Sequence, residues 1–421
     1  MGKRVMALFG LLGVVVPLVI WPATPAAAVG GLEGVPHFDH VFVLVEENES
    51  FATTFDPSGP AKYLNATLVP ASTLDDQYFA TGHVSLDNYV SMTSGQMGNG
   101  LTNTDCLLGQ AVNLWTCVQP QGVISGGRNL GDQLDDAGVT WKQYSDGTTK
   151  SCVHADYSPT ATGADPYQGA GKTPTNNGAG KDFADRHVGF LYYPDIIGAD
   201  PRCQAHLKPF TDLAGDITAG QVPGFGFITP DTCNDGHDAP CVDSGGNTTA
   251  PGGLTSADKW LSPTGGGKIG TLLSYLYSHN GLLLLTFDEG AVSDFSGCCG
   301  GTAGVVGGGR IGLLALSSCI KPGQVIHTPY NHYSLLRTIE DNFSISEHLN
   351  NSGSATAMSD LFNGSSCPRT SVTPSNPGIG SSALPNTSAL TAPWWPGVTA
   401  LLLLGGLAIG RGARSRRRQT R

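Results

Sequence analysis

Charge is scarce in this chain of 421 residues: Asp, Glu, Lys and Arg make up 14%, well below the ~25% usual in soluble domains. That scarcity argues against a coiled coil or a long solvated helical rod. Basic residues are scarcer still once the two ends are set aside. Of the 23 Lys and Arg, Lys3 and Arg4 lie in the N-terminal segment, and Arg411, Arg414, Arg416, Arg417, Arg418 and Arg421 lie in the tail. Neither end holds an Asp or Glu, so the body carries 15 basic against 34 acidic residues, a net charge of −19. A body this acidic repels phosphate backbones, which excludes nucleic-acid binding by bulk electrostatics. No pair of CxxC units occurs, and Cys298 and Cys299 are adjacent, so a cysteine metal site is a poor reading. No segment repeats at a fixed period. The apolar fraction, 40%, is too high for a disordered chain.

Long apolar runs are confined to the ends. Lys3-Arg4 precedes an apolar run from Val5 to Trp21 and then the small-residue stretch Pro22 to Ala28. A basic start, an apolar middle and a small-residue exit describe a secretory signal peptide, residues 1–28, rather than a retained anchor. The ten cysteines all lie between Cys106 and Cys367. In an oxidising compartment their even number allows up to five disulfides. Short spacing favours Cys106–Cys117 and Cys233–Cys241, and less strongly Cys152–Cys203. Residues 371–392 are rich in Ser, Thr, Pro, Gly and Asn, the composition of an extended stalk. An apolar segment (393–410) and the arginine tail (411–421) follow, an arrangement that suits a membrane anchor with its arginines inside. Leu384-Pro385-Asn386-Thr387-Ser388 in the stalk resembles a Gram-positive cell-wall sorting signal, with Ser388 where that signal has Gly. Membrane anchoring and sortase attachment both stay open, and both tether the protein to the outer face of the cell envelope.

The remaining body, residues 29–370, is long enough for one large domain or two small ones. Four short, nearly continuous apolar runs stand out: His40 to Val45, Gly224 to Thr229, Leu282 to Phe287 and Ile311 to Leu316. Runs of this length and character fit strands buried on both faces, as in a parallel sheet. Helical periodicity lies between them, at Asn129 to Ala137, Gly267 to Ser278 and His332 to Asn342. The alternation predicts an α/β domain. Residues 145–185 and 290–310 are rich in Gly, Thr, Asp and Ser and read as long surface loops.

Three of the runs end on acids. The first leads into Glu46-Glu47-Asn48. The second leads into Pro230-Asp231, then Asn234-Asp235-Gly236-His237-Asp238. The third leads into Asp288-Glu289-Gly290. In a parallel sheet the strand C-termini share one edge, where ligands bind. Three carboxylate clusters meeting there repel one another unless a cation neutralises them. Oxygen-rich clusters with a few histidines suit a hard or borderline divalent metal. A single such cluster reads better as helix caps or solvated loop; three, each after a buried strand, favour the site. Between the first two runs lies Gly82-His83-Val84-Ser85, with Asn88 one turn on. Ser85 at a helix start would face an anion with backbone N–H groups, and Asn88 could donate its amide to a phosphoryl oxygen. Spacing alone favours an ordinary N-cap for Ser85 and a loop role for His83.

Val45-Glu46-Glu47-Asn48-Glu49-Ser50-Phe51 resembles the Glu-Asn-x-Ser-Phe signature of the bacterial and fungal phosphoesterase family, which holds acid phosphatases, phosphatidylinositol-3-phosphate phosphatases and phospholipases C. His83-Val84-Ser85-Leu86-Asp87-Asn88-Tyr89 resembles the His-Pro-Ser-x-Pro-Asn-Tyr block of that family, with Val84 and Asp87 in place of its prolines. Arg186-His187-x-x-Phe190, the Pro230 to Asp238 block, Thr286-Phe287-Asp288-Glu289, and His332 to Glu340 follow in the family's order. The likeness spans residues 38 to 345. It implies an alkaline-phosphatase-like fold, a doubly wound, mostly parallel sheet with helices on both faces. It implies a divalent metal ion (Mg, Mn, Ca or Zn) on Glu47, Asn48, Asp288 and Glu289, with Ser85 as nucleophile. His237 and His332 would protonate the leaving group, contact phosphate oxygens or ligate a second metal. His187 would reach the phosphate, and Asp231, Asn234, Asp235 and Asp238 would form an outer tier, with His83 beside them. The function so implied is hydrolysis of phosphate monoesters, small organic phosphates or phosphoinositides, at the cell surface. A phospholipase C acting on diesters is the alternative, and a non-catalytic wall-displayed binding protein a further one.

Overall fold

The central strands form where the sequence is apolar without interruption. β1 (His40–Glu46) is buried along its length except at His40. The structure, a computed structural model, describes residues 32–98, 102–105, 127–153, 182–197, 200–243, 246–263, 268–299 and 307–367. The main sheet continues with β2 (Thr73–Asp75), β3 (Trp141–Ser145), β4 (Leu207–Pro209), β5 (Phe225–Thr229), β6 (Gly281–Phe287), β7 (Leu313–Leu316) and β8 (Gln324–Ile326). Its eight strands run in the order β8-β2-β7-β6-β1-β5-β3-β4. β1 pairs in parallel with both β5 and β6. Only β7 runs against its neighbours, so the sheet is mostly parallel. β5 and β6 are buried at every position, as strands covered on both faces must be.

The four apolar runs all become strands, and the expected α/β class is the one observed. The three helical patterns become Leu130–Asp136, Gly270–Ser278 and His332–Asn342. Three helices are α1 (Ser85–Ser94), α2 (Gly270–Ser278) and α3 (His332–Asn342), of which α1 and α3 carry site residues. α1 packs against α3. α3 is held at its start by Asn331, whose side chain accepts from the amides of Tyr333 and Ser334, a cap worth about 1 kcal/mol. Leu335, Leu336 and Ile339 carry it into the core, and truncating any one to Ala costs roughly 2–5 kcal/mol. α1 stops at Gly95, whose left-handed backbone (φ 66°) lets its amide close on Ser91 while its missing Cβ makes room for the Leu349 carbonyl.

Two of the expected disulfides are present, Cys152–Cys203 and Cys233–Cys241; Cys298–Cys299 and Cys319–Cys367 join them. The adjacency that argued against a metal site is itself a bridge between neighbours. The Cys106–Cys117 pairing lies outside the described residues. So do the signal peptide, the stalk with its Leu384–Ser388 motif, the apolar segment and the arginine tail, and most of the expected loop at 145–185. Among the described residues no helix is long and apolar enough to cross a membrane.

Candidate active site

Register brings the acids together. Glu46 lies opposite Phe287 in the parallel pair β1–β6, and Leu44 opposite Ile228 in β1–β5. All three strands therefore stop at one level. The next residues are tied across that edge: the Asp288 amide donates to the Glu46 carbonyl (2.9 Å), and the Glu47 amide to the Asp235 carbonyl (2.6 Å). Gly236 makes the turn between Asp235 and His237 with φ 107°, and a Cβ there would press on the Glu47 carbonyl at 3.2 Å.

Glu47 is the centre. Its side chain is buried, and Oε1 accepts from the Ser85 hydroxyl at 2.7 Å. His187 Nε2 lies 2.6 Å from the same oxygen and the Arg186 guanidinium 3.4 Å from it. His237 Nδ1 stands 3.5 Å from Oε2. Burial alone would push Glu47 up, but His187 and Arg186 outweigh it and hold the carboxyl well below the usual range. Asp288 is held in place by the amides of Asn48 (3.0 Å) and Glu289 (2.6 Å), both donating to Oδ1. Burial, and then the charges of Glu47 and Glu289, raise Asp288 well above the ordinary range. Burial and the charge of Glu47 raise Asp235 in the same way.

Ser85 opens α1, so the expected helix start is where the structure has it. The preceding residue is unusual. Val84 caps the helix with φ 116° and ψ 121°, a region a β-branched residue adopts only under constraint. Glu289 supplies the constraint: Oε2 accepts from the Val84 amide at 2.9 Å and lies 2.8 Å from His83 Nδ1. The second nitrogen of His83 meets the Asp294 carbonyl at 2.8 Å. Hydrogen bonding to Glu289 raises the His83 pKa.

The other sequence candidates fall into distinct places. Asn88 does not face the open site: its Nδ2 donates to the carbonyls of Gly82 and Val84, and its Oδ1 accepts from the amides of Thr81 and Gly82. It braces the loop that delivers Ser85. His332 stands behind the site, with Nε2 2.7 Å from the Asp288 carbonyl and Nδ1 3.0 Å from the Tyr78 hydroxyl. Burial pushes it down to about 4, so it is neutral. Asp231 accepts from the Asn234 side chain (2.7 Å) and the Cys233 amide, shaping the turn rather than reaching Ser85. Asp238 lies 3.6 Å from His237 Nδ1. His187 stacks on Tyr89 and is 4.0 Å from Asp235 Oδ2.

Two residues were absent from the sequence candidates for the site. Arg186 is buried between Glu47 and Asp105, and it heads the Arg186-His187 block that marked only its histidine. Asp105 accepts from the Leu86 amide at the start of α1 (2.8 Å); nothing in its Thr- and Asn-rich surroundings pointed to it.

The donor set fits a divalent cation. Buried oxygens on these residues are short of partners: Asn48 Oδ1, Asp235 Oδ2 and Asp288 Oδ2 accept no hydrogen bond, and Glu47 Oε2 faces only His237 Nδ1, at 3.5 Å. Such oxygens are costly to bury unless a donor or a cation meets them. Glu47, His187 and Asp235 each offer a ligand atom within 4.8 Å of the others. That trio adds His187, expected at the phosphate, and Asp235, expected in the outer tier, to the candidate ligands.

The family model described as Phosphoesterase family matches residues 58–346. A protein named probable acid phosphatase from Kluyveromyces lactis is 24% identical over 345 residues, covering 80% of this chain and 66% of its own length. A phosphatidylinositol-3-phosphatase from Mycobacterium tuberculosis is 23% identical over 344 residues, covering 81% of this chain and 89% of its own. The chain spans just under two thirds of the length of the Kluyveromyces lactis relative. Among solved structures, a sulfatase from Pseudoalteromonas sp. overlaps 79% of this chain and 74% of its own, with 13% identity and a TM-score of 0.45. With a family match across most of its length, the chain belongs to the phosphoesterase family.

Proposed function

We propose that this protein is an exported, metal-dependent phosphatase that hydrolyses phosphate monoesters through a phosphoserine on Ser85. The observation that carries this reading is the 2.7 Å hydrogen bond from the Ser85 hydroxyl to Glu47, at a helix start ringed by buried carboxylates. A bound divalent ion would lower the pKa of the serine hydroxyl and polarise a phosphoryl oxygen. Glu47, Asn48, Asp235, Asp288 and His187 are the residues that would hold it. Glu289 and Asn88 fix the strained Val84 turn, so Ser85 Oγ is aimed before substrate arrives. Arg186 offsets the carboxylate charge that would otherwise repel a phosphate. Ser85 attacks phosphorus, the alcohol departs on the opposite side, and water then cleaves the phosphoserine. His237, half-exposed beside Glu47, is placed to hand the leaving alcohol its proton; its hydrogen bond to Glu47 raises its pKa and keeps it protonated in mild acid. The family match and the acid phosphatase and phosphatidylinositol-3-phosphatase relatives support the ester class. The disulfides support an oxidising, extracellular setting.

Turnover of p-nitrophenyl phosphate by the purified protein tests the reading. Activity should vanish on exhaustive chelation and return with one of Mg²⁺, Mn²⁺, Ca²⁺ or Zn²⁺. Full activity after chelation would overturn it. Faster cleavage of the corresponding phosphocholine diester would replace the monoesterase by a diesterase on the same residues.

A further inference from the structure

Cys298 and Cys299 are chain neighbours joined by a disulfide. A bridge stabilises a fold chiefly by closing a loop of the unfolded chain, and the more so the longer that loop. Cys152–Cys203 and Cys319–Cys367 join residues 51 and 48 apart. A bridge between neighbours restrains one peptide and adds little to global stability. It is also the most open of the described bridges. Cys299 is exposed and Cys298 half-buried, while each of the other three has at least one buried cysteine. Cys299 takes a left-handed backbone (φ 65°), which residues other than glycine adopt rarely. Cys298 Sγ lies 3.2 Å from the Tyr330 carbonyl, and Cys299 Sγ 2.9 Å from the Pro329 carbonyl. A disulfide sulfur has no hydrogen to offer these acceptors, whereas a thiol has one. Exposure and waiting acceptors both favour a bridge that opens and closes.

The bridge joins two parts of the site. Residues 290–299 leave the strand end at Asp288-Glu289. The Asp294 carbonyl meets His83 Nε2 at 2.8 Å, and the Phe295 ring stands edge-on to His83 at 5.2 Å. His83 shares Glu289 Oε2 with the Val84 amide, directly before Ser85. At the far end of the loop the Cys298 carbonyl accepts from Asn331 Nδ2 at 3.0 Å. Asn331 also caps α3, and His332 beside it touches the Asp288 carbonyl. Val292 and Phe295 are 74% and 57% exposed, so polar ties rather than apolar burial hold the loop. Among them are the Arg310 amide on Asp294 Oδ2 and the Gly309 amide on the Ser296 carbonyl. We propose that Cys298–Cys299 is a thiol–disulfide exchange site: closed, it clamps the loop between His83 and Asn331 and keeps Ser85 aimed; opened by a dithiol, it releases the loop and lowers turnover. The effect on turnover rests on the phosphatase reading above. One thiolate of the dithiol attacks Cys299 Sγ, and the electron pair of the S–S bond leaves on Cys298. The second thiolate then displaces Cys299 from the mixed disulfide. The dithiol ends as a disulfide, and its two protons end on the two cysteine sulfurs.

The experiment titrates dithiothreitol against the metal-loaded protein, and cysteine alkylation with peptide mass spectrometry reads which bridge has opened. Cys298–Cys299 should open first. As it opens, kcat for p-nitrophenyl phosphate should fall about tenfold. In the metal-free protein, hydrogen exchange in the peptide covering His83 to Ser85 should quicken by about the same factor. Oxidised glutathione should restore both, which separates release of a loop from unfolding. The double variant Cys298→Ser, Cys299→Ser should show the lower kcat from the outset and ignore dithiothreitol, which also controls for metal removal by the reagent. Several results overturn the inference while leaving the phosphatase reading intact: another bridge opening first, wild-type kcat in the double variant, unchanged exchange at His83 to Ser85, or a loss that reoxidation does not reverse. If no redox state cleaves p-nitrophenyl phosphate, the phosphatase reading falls instead, and the alkylation and exchange results still decide whether the bridge holds the loop.

Discussion

Ser85 is aimed by residues on both sides of it. Glu47 accepts from its hydroxyl, and Glu289 holds the Val84 amide in a conformation valine avoids. Ser85→Ala should lower kcat by at least ~10³-fold with the circular dichroism spectrum and melting temperature unchanged; near-normal turnover would move the nucleophile elsewhere. His237 makes a pH prediction. Its pKa is raised above 6.5, first through its hydrogen bond to Glu47. The acid form is therefore abundant at low pH and is lost as pH rises through that raised value. The kcat–pH profile should fall on its alkaline side there, and His237→Gln should lower kcat about 10²–10⁴-fold and remove that limb. Val84→Gly should relieve the strained turn and raise stability by about 1 kcal/mol, read by thermal melting. Its kcat should fall, because the looser turn no longer fixes Ser85.

At the scale of elements, the parts visible in sequence were those whose signal is local. β1, β5 and β6 announce themselves as unbroken apolar runs, and the acids that follow them are adjacent in sequence to strand ends. Parallel register then does the rest. β2, β4 and β8 are three residues long each, too short to show a period, and they hold their places by pairing with longer neighbours. β3 reads Trp-Lys-Gln-Tyr-Ser, and its burial comes from the helices and loops covering it. Within the site, Glu47, Asp288 and Ser85 were legible because chemistry and position coincide. Arg186 and Asp105 were not, since their partners lie far away in the chain. The inward tilt of His332 towards the Asp288 carbonyl, rather than towards open space, also depends on how α3 packs. The same packing buries Glu340 on α3, where the Leu349 amide and the Ser352 hydroxyl donate to its carboxylate.

Across the whole molecule, burial raises carboxyls well outside the site. Glu340 rises from 4.5 to about 7 and Asp75 from 3.8 to about 8, burial being the main cause in each. The sign follows from linkage. Between the unfolded and folded pKa values the native state keeps a proton that the unfolded chain has released, so stability is fullest below about pH 4 and declines as pH rises through 7 to 8. Glu340 alone contributes ~3 kcal/mol to that decline. Urea denaturation of the metal-free protein should give a higher midpoint at pH 5 than at pH 8, and Glu340→Gln should flatten the difference. A midpoint that rises with pH would contradict these buried acids. The same acidic excess, net −19 in the body, means that attraction for a phosphate must come from the site itself. The most direct test is covalent. The metal-loaded protein is mixed with a ³²P-labelled phosphate monoester, quenched in acid within milliseconds and digested. The label should sit on the peptide bearing Ser85 and be absent from Ser85→Ala; label on another residue, or turnover with no labelled protein, would contradict the account.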